Sequence, residues 1–245
     1  MIKLSYDLHI HSCLSPCADE DMTPTNIVGM AALKELAVIA VTDHNSCRNC
    51  PAVLKLAAEY GILAIPGMEL TTREEVHVLC LFRELSHAMC FNEYVYSQLM
   101  KVANDVRIFG SQLICDEAER VIEEEPYLLI NATDISFDDL GSLMEEYHGI
   151  YIPAHLDRSS NSLLSNLGFI PPEAGFTAAE LADLSMLKEI SRRNPYLKQC
   201  RIITNSDAHS LGHINEAVND IYCKSNNMED IFEALTATPV EQNDD

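Results

Sequence analysis

The sequence predicts an α/β fold with a mainly parallel sheet. Short apolar runs of strand length alternate with amphipathic segments of helix length along the 245 residues, which is the pattern of repeated βαβ units. The run 37–42 is apolar almost throughout, as expected of a strand buried on both faces. Histidines and acidic residues stand at the ends of several runs, and active sites of α/β barrels form at the carboxyl ends of their strands.

The elements follow from these runs and from the residues that bound them. We predict strands at 4–11, 37–42, 62–65, 76–82, 128–131, 150–154, 181–184 and 201–204. We predict helices at 23–36, 51–60, 86–125 and 228–237. Thr23 and Pro24 are typical of a helix start, and Gly61 is typical of a helix end. The Ser-, Asn-, Pro- and Gly-rich stretch 159–175 predicts a long loop near the site.

Neither an internal repeat nor a domain linker is visible, so we expect one domain over 1–240 and a disordered tail over 241–245. The 16 basic and 38 acidic residues give a formal charge of −22, which disfavours a nucleic-acid-coating role. No apolar run approaches the roughly 20 residues that span a bilayer, and Met1–Asp7 lacks a signal-peptide core. We therefore expect a cytoplasmic protein, in which nine cysteines are thiols or ligands rather than disulfides.

Six of the nine histidines lie near acidic residues at the ends of apolar runs. The segments are Asp7-Leu8-His9-Ile10-His11, Asp43-His44, Glu69, His77, His155 and Asp207-Ala208-His209. Residues i and i+2 of a strand point to the same face, so each His-x-His or Asp-x-His pair can reach one centre. Imidazole and carboxylate together suit zinc, manganese or iron. The pattern predicts a polynuclear metal site that performs hydrolysis.

These segments resemble, in order and over about the whole chain, the polymerase and histidinol phosphatase (PHP) superfamily. The matching motifs are His9-Ile10-His11-Ser12, Asp19 before Thr23-Pro24, Thr42-Asp43-His44-Asn45, Gly67-Met68-Glu69, Val76-His77-Val78-Leu79, Pro153-Ala154-His155 and Ser206-Asp207-Ala208-His209. The resemblance implies a distorted (βα)7 barrel related to the TIM barrel, two to three divalent transition metals (Zn, Mn or Fe) and phosphoester hydrolysis. The related amidohydrolase barrels share His-x-His but often carry a bridging lysine, and no lysine stands at a strand end here.

The resemblance also implies a set of metal ligands in this chain. They are His9, His11, Asp19, His44, Glu69, His77, His155, Asp207 and His209. The family often has Ser-Asp-Gly where this chain has 18–21, so Glu20 or Asp21 can substitute for Asp19. The segment 86–146 matches no motif of the family, and we expect a helical elaboration that shapes the pocket.

Three further residues are candidates for the reaction itself. Arg158 follows His155 by three positions, and similar proteins carry an arginine near this histidine; it is either a phosphate clamp or one partner of a surface salt bridge. Asn45 either donates to a substrate oxygen or caps the turn after His44. Asp43 either orients a ligand or shuttles a proton, or it is a cap.

We expect hydrolysis of a small phosphomonoester, such as a nucleotide or a sugar or amino-alcohol phosphate. A water between two metals about 3.5–4 Å apart would attack phosphorus in line, with a third metal and Arg158 neutralising the other oxygens. Three divalent ions outweigh the carboxylates of Asp19, Glu69 and Asp207, which makes the pocket positive. The alternatives are a manganese-dependent exonuclease or phosphodiesterase, and a non-catalytic metal-dependent regulatory protein. The oligomeric state stays open.

Four cysteines go beyond the resemblance. Cys13 and Cys17 follow the first predicted strand, and Cys47 and Cys50 follow the second. Their count and spacing fit a tetrathiolate zinc or iron–sulfur site, or a redox-sensitive disulfide pair beside the pocket. They also fit four ordinary loop thiols.

Overall fold

The computed structural model describes residues 1–237 and contains ten strands within them. In chain order they are β1 (Ile2–Ile10), β2 (Val38–Val41), β3 (Leu63–Thr71), β4 (His77–Phe82), β5 (Leu113–Cys115), β6 (Val121–Glu124), β7 (Gly149–Pro153), β8 (Ala178–Glu180), β9 (Arg201–Ile203) and β10 (Asp220–Cys223).

The described residues also contain eight α-helices. They are α1 (Pro24–Leu33), α2 (Cys50–Glu59), α3 (Leu85–Gln98), α4 (Val106–Phe109), α5 (Leu140–Glu146), α6 (Leu163–Asn166), α7 (Leu187–Arg193) and α8 (Met228–Thr236). Thr23 caps α1 as predicted, since its hydroxyl accepts a hydrogen bond from the Asn26 amide. No helix within 1–237 is both long enough and apolar enough to cross a lipid bilayer.

Seven of these strands, β1 to β4 and β7 to β9, form the distorted α/β barrel that the resemblance implied, and β10 adds to β1 outside this ring. One sheet has the order β10-β1-β2-β3-β4-β7, and β8 pairs with β9 in a second sheet. The two sheets meet at both edges, through the Leu156 amide and the Glu180 carbonyl (2.9 Å) on one side and a bridge between Ile10 and Ala208 on the other. The ring of seven strands is thereby closed by single contacts rather than by continuous ladders.

The barrel is less parallel than the sequence predicts. The pairs β1–β2, β2–β3 and β8–β9 are parallel, whereas β3–β4, β4–β7 and β1–β10 are antiparallel. Strand β4 turns back directly after β3, with Thr71 opposite His77. Because an antiparallel neighbour starts where the previous strand ends, the beginning of β4 lies at the same end of the barrel as the end of β3.

Strand β1 divides its side chains between two parts of the core. Leu4, Tyr6 and Leu8 pack in one buried cluster with residues of β2, β3, β4 and α8, whereas Ile10 packs with α1 and α2. The β1–β2 register shifts between Asp7 and Ile10. Such an irregularity rotates a strand and redirects its side chains. Here the stretch over which the register shifts contains His9.

Helix α8 covers the end of the barrel opposite to the site. Its buried residues Ile231, Phe232 and Leu235 join the cluster that contains Leu4 and Ile221. These side chains fill the barrel at the end where β1 starts. The polar side chains therefore lie at the opposite end, where β1 finishes.

Several predicted elements are wrong in type or position. Beyond α3, the segment 99–125 is not one helix but holds the short α4 and the β5–β6 hairpin. No strand forms at 128–131, and the strand predicted at 181–184 lies earlier, at β8. The loop 159–175 contains the one-turn α6, and β10 was not predicted. The predicted tail 241–245 lies outside the described residues.

Candidate metal centre

The site lies where the barrel strands end. His9 and His11 come from the end of β1, Glu69 from β3, and His77 from the start of the antiparallel β4. His44 follows β2, His155 follows β7, and Asp207 and His209 follow β9. The order of strands in the barrel therefore brings together residues that are up to 200 positions apart in the sequence.

Glu69 is the centre of the cluster. Its Oε1 lies 2.9 Å from His77 Nδ1, 3.3 Å from His9 Nε2 and 3.3 Å from His155 Nε2. Its Oε2 lies 3.0 Å from His44 Nδ1 and 3.4 Å from His11 Nε2. Glu69 and the five imidazoles are all buried. One carboxylate therefore faces five ring nitrogens.

Asp207 is the second carboxylate at the centre. Its Oδ1 lies 3.1 Å from His11 Nε2 and 3.3 Å from His9 Nε2, and its Oδ2 forms a salt bridge with Arg158 Nη1 at 2.6 Å. The His209 ring stacks on the His11 ring with 4.4 Å between centroids. Arg158 is 46% exposed and His209 is 32% exposed, so this side of the cluster is the one open to solvent.

The donor atoms fit metal ions better than hydrogen bonds. Both Glu69 carboxylate oxygens and His44 Nδ1 are buried without a hydrogen-bond partner, despite the short distances around Glu69. His9 Nε2 and His11 Nε2 face each other at 3.2 Å. Buried polar atoms without partners are costly, and lone pairs that converge on a shared space are what a cation satisfies. This His and Glu cluster could therefore bind metals.

The described residues contain three groups of potential metal-ligand atoms, and within each group the atoms lie no more than 4.8 Å apart. They are His9, His11 and Glu69; His44, Glu69 and His77; and His11, Cys17, His44 and His209.

Groups behind the imidazoles fix which nitrogen faces the centre. His9 Nδ1 lies 3.1 Å from Glu180 Oε2, so its Nδ1–H donates to the ionised carboxylate and its Nε2 is the nitrogen that faces Glu69. The Ser15 hydroxyl donates to Asp43 Oδ1 at 2.7 Å, so it accepts from His11 Nδ1–H at 3.0 Å. Both arrangements orient a histidine toward a metal.

The electrostatics of the cluster match this assignment. Burial lowers the pKa of His11 to about 3, which keeps its imidazole neutral. Burial lowers the pKa of His9, but the Glu180, Asp207 and Glu69 carboxylates outweigh it and raise that pKa well above its ordinary value. Burial raises the pKa of Asp207, but His9 and His11 outweigh it and hold that pKa well below its usual range. The cluster thus has an excess of negative charge that favours cations.

The backbone is strained at two of these residues. His155 has φ 31° and Asp207 has φ 50°, a region that non-glycine residues seldom adopt. Strain of this kind persists where the surrounding structure holds a functional side chain in place.

The structure brings together eight of the nine ligand candidates. Asp19 is apart from them: its side chain is exposed and belongs to none of the three donor sets, although its backbone amide donates to the His209 carbonyl at 2.9 Å. Arg158 lies at the cluster through Asp207.

Asp43 and Asn45 lie behind the site rather than in it. Asp43 accepts from the Ser12 amide, the Ser12 hydroxyl and the Ser15 hydroxyl at 2.6–2.7 Å, which supports an orienting role. The Asn45 amide donates to the carbonyls of Leu129 and Asn131, and its oxygen accepts from the Thr71 amide. This use of the whole amide leaves no polar atom of Asn45 for a substrate.

The four loop cysteines do not form one site. Cys13 Sγ lies 3.8 Å from Cys115 Sγ, Cys47 and Cys50 both donate to the Gly67 carbonyl, and Cys17 joins the histidines. All nine cysteines are free thiols. The tetrathiolate prediction is therefore wrong, because the loops after β1 and β2 place these side chains in three different surroundings.

Sequence reasoning missed Glu180, Ser15 and the part played by Cys17. Glu180 ends the short run Ala178-Ala179-Glu180, the same signal that identified the other candidates, but the strand was placed three residues too late. Ser15 carried no signal of its own.

The family profile of the PHP domain matches residues 7–238. The chain is 36% identical over 76 residues to an uncharacterized protein of Methanocaldococcus jannaschii, covering 28% of this chain and 44% of that one. It is 31% identical over 87 residues to the 5'-3' exoribonuclease Rnm of Salmonella typhimurium, covering 34% and 29%. It is 35% identical over 78 residues to a 3',5'-nucleoside bisphosphate phosphatase of Chromobacterium violaceum, covering 31% and 26%. The chain thus spans less than half the length of these relatives.

Solved structures share the fold. The lesion-specific endonuclease PfuEndoQ of Pyrococcus furiosus superposes with a TM-score of 0.67 at 21% identity, over 96% of this chain and 56% of that one. An amidohydrolase of Chromobacterium violaceum with bound sulfate superposes with a TM-score of 0.60 at 16% identity, over 97% and 99%. The profile match over residues 7–238 shows that the chain belongs to the PHP domain family.

Proposed function

We propose that this protein is a metal-dependent phosphoesterase that hydrolyses a small phosphomonoester. The observation that carries the proposal is the convergence of six imidazoles on two carboxylates, those of Glu69 and Asp207, with Arg158 at the side open to solvent. The eight side chains would hold two to three divalent ions, of zinc, manganese or iron. When bound, such ions supply a nucleophile at neutral pH and neutralise phosphate oxygens.

The residues of the chain have separable tasks in this proposal. His9, His11, His44, His77, His155, His209, Glu69 and Asp207 hold the metals. Glu180 and Ser15 bind the Nδ1 atoms of His9 and His11, so that Nε2 of each ring is directed to the metals. Arg158 binds a non-bridging phosphate oxygen, because its guanidinium lies at the exposed edge and matches phosphate geometry.

The leaving group has a place beside Arg158. A cleft of about 460 Å³ is lined by Arg158 together with Phe169, Arg193 and Asn194, among other residues. An exposed aromatic ring and polar side chains next to the phosphate clamp suit a nucleoside or a similar alcohol rather than an apolar chain. The bisphosphate phosphatase among the relatives is in keeping with a nucleotide.

A phosphodiesterase acting on nucleic acid is the second candidate. Relatives named as exoribonucleases and the fold of PfuEndoQ favour it. The formal charge of −22 disfavours it, since a long polyanion would be repelled. A non-catalytic regulatory protein is the third candidate. For all three candidates, the free thiols favour a reducing compartment such as the cytoplasm.

The test is a substrate panel on protein reconstituted with zinc, manganese or ferrous iron. The panel contains a simple aryl phosphate, nucleoside monophosphates and bisphosphates, sugar phosphates, and 5'-phosphorylated single-stranded DNA and RNA. We expect release of inorganic phosphate from a small substrate and at least tenfold lower kcat/KM on the oligonucleotides. Faster release of mononucleotides from an oligonucleotide would establish the second candidate, and metal binding without any turnover would establish the third.

A further inference from the structure

Cys17 lies among three histidines of the candidate metal centre. Its sulfur and the ring nitrogens of His11, His44 and His209 lie within 4.8 Å of one another. His44 is 3% exposed, and its Nδ1 has no hydrogen-bond partner. That nitrogen faces Glu69 Oε2 at 3.0 Å, and the buried His44 ring also places a nitrogen in the group that contains the thiol. Four potential ligand atoms that converge in this way are the arrangement that a metal would satisfy.

The loop after β1 is fastened on both sides of Cys17. Before it, Asp43 holds Ser12 and Ser15. Across it, the Ala18 amide donates to the Ser15 carbonyl at 3.0 Å. After it, the Asp19 amide donates to the His209 carbonyl at 2.9 Å. These contacts hold the Cys17 backbone next to His209, while the exposed Asp19 side chain is not a member of the donor group.

Cys17 differs from the three histidines of this group because its sulfur can become an anionic ligand. The three imidazoles are neutral ligands, and the donor group contains no carboxylate. A thiolate supplies the negative charge that three imidazoles lack, and three nitrogens with one sulfur match the tetrahedral preference of zinc. The thiol proton passes to solvent as sulfur coordinates.

We propose that the sulfur of Cys17, rather than the carboxylate of Asp19, is the anionic ligand that completes a metal position with His11, His44 and His209. A soft sulfur ligand selects zinc or ferrous iron over manganese, so this position discriminates among metals. The inference rests on the metal centre of the proposed function and adds to it a ligand and a selectivity.

The test uses cobalt as a spectroscopic substitute. Wild-type protein, Cys17→Ser, Cys17→Asp and the control Cys90→Ser, which changes another exposed thiol on α3, are loaded with Co²⁺. We expect a near-ultraviolet sulfur-to-cobalt charge-transfer band in wild type and Cys90→Ser, and its loss in both Cys17 variants. Cys17→Ser should lose one metal equivalent, and Cys17→Asp should keep it and bind manganese more tightly than wild type.

Reaction with iodoacetamide gives an independent reading without any activity assay. Zinc should protect Cys17 from alkylation and leave Cys90 equally reactive. A charge-transfer band that persists in Cys17→Ser, or wild type that binds metal with neither a band nor protection, would overturn the Cys17 assignment alone. Wild type that binds no metal would overturn the proposed metal centre together with it.

Discussion

His9 Nδ1 lies 3.1 Å from Glu180 Oε2, and both side chains are buried. Glu180 is in turn held by Asn205, whose Nδ2 donates to the same oxygen at 2.7 Å. Because Nδ1–H donates to this carboxylate, His9 directs Nε2 to Glu69 and Asp207, where a bound metal would replace any proton on it. Glu180 therefore acts on the site through His9, as a positioning residue.

Glu180→Gln keeps the size of the side chain and removes its charge. We expect affinity for zinc to fall by about 10–100-fold, the usual effect of losing such a partner of a ligating histidine. Competition titration against a chromogenic chelator measures this change. Glu189→Gln, at a partly exposed carboxylate on α7, is the matched control and should bind zinc like wild type. Equal affinity in Glu180→Gln would show that the contact does not orient a ligand.

Arg158→Ala tests the phosphate clamp. Loss of a charge-assisted hydrogen bond of about 1.5–3 kcal/mol should lower kcat/KM by roughly 10–100-fold, mainly through a higher KM. Arg107→Ala is the control, because its guanidinium is 88% exposed and pairs only locally with Asp105. Since Arg158 also contacts Asp207, metal content is measured on the same sample. Wild-type kinetics on every substrate in the panel would rule out the clamp.

Asn45→Ala tests the hydrogen bonds through which the Asn45 side chain links β3 to the segment 129–131. Its removal leaves the Thr71 amide and the carbonyls of Leu129 and Asn131 without their partner, so the free energy of unfolding should fall by about 1–3 kcal/mol. Urea unfolding measures it. Asn166→Ala, whose two bonds are exposed, should cost clearly less. If the two variants are equally stable, the buried amide does not hold this segment.

Chelation tests whether the cluster binds metal in the native fold. Metal that binds only the folded state adds about 2.7 kcal/mol of stability at a concentration of 100 times Kd. Addition of EDTA should therefore lower the Tm of wild type. His9→Ala should have a lower Tm at the start and respond little to EDTA. A wild-type Tm that EDTA leaves unchanged would speak against a stabilising metal.

The candidate site could be predicted well because its residues mark the ends of apolar runs. His9, Glu69 and Asp207 stand at such ends, and the barrel brings these ends together. The antiparallel direction of β4 could not be predicted from the sequence, because the apolar run of a fully buried strand does not depend on the strand's direction. His77 nevertheless reaches the site, since β4 starts where β3 ends.

Other features depend on contacts that leave no local signal. The register shift between Asp7 and Ile10 arises from pairing with β2, and the roles of Ser15 and Cys17 depend on how Asp43 holds their loop. In the hairpin β5–β6, the side chains of β6 are exposed and lie in the acidic segment 116–125, whereas Ile114 and Cys115 of β5 are buried. An apolar run as short as Leu113–Cys115 does not distinguish a helix from a strand.

Metal stoichiometry measured together with turnover tests the central claim most directly. Protein purified without chelator is analysed by inductively coupled plasma mass spectrometry, and apo protein is titrated with metal while phosphate release is followed. We predict two to three transition-metal equivalents, activity that rises with each until the centre is filled, and loss of both in Asp207→Ala. One equivalent or less in active wild-type protein, or full activity without metal, would contradict a polynuclear centre.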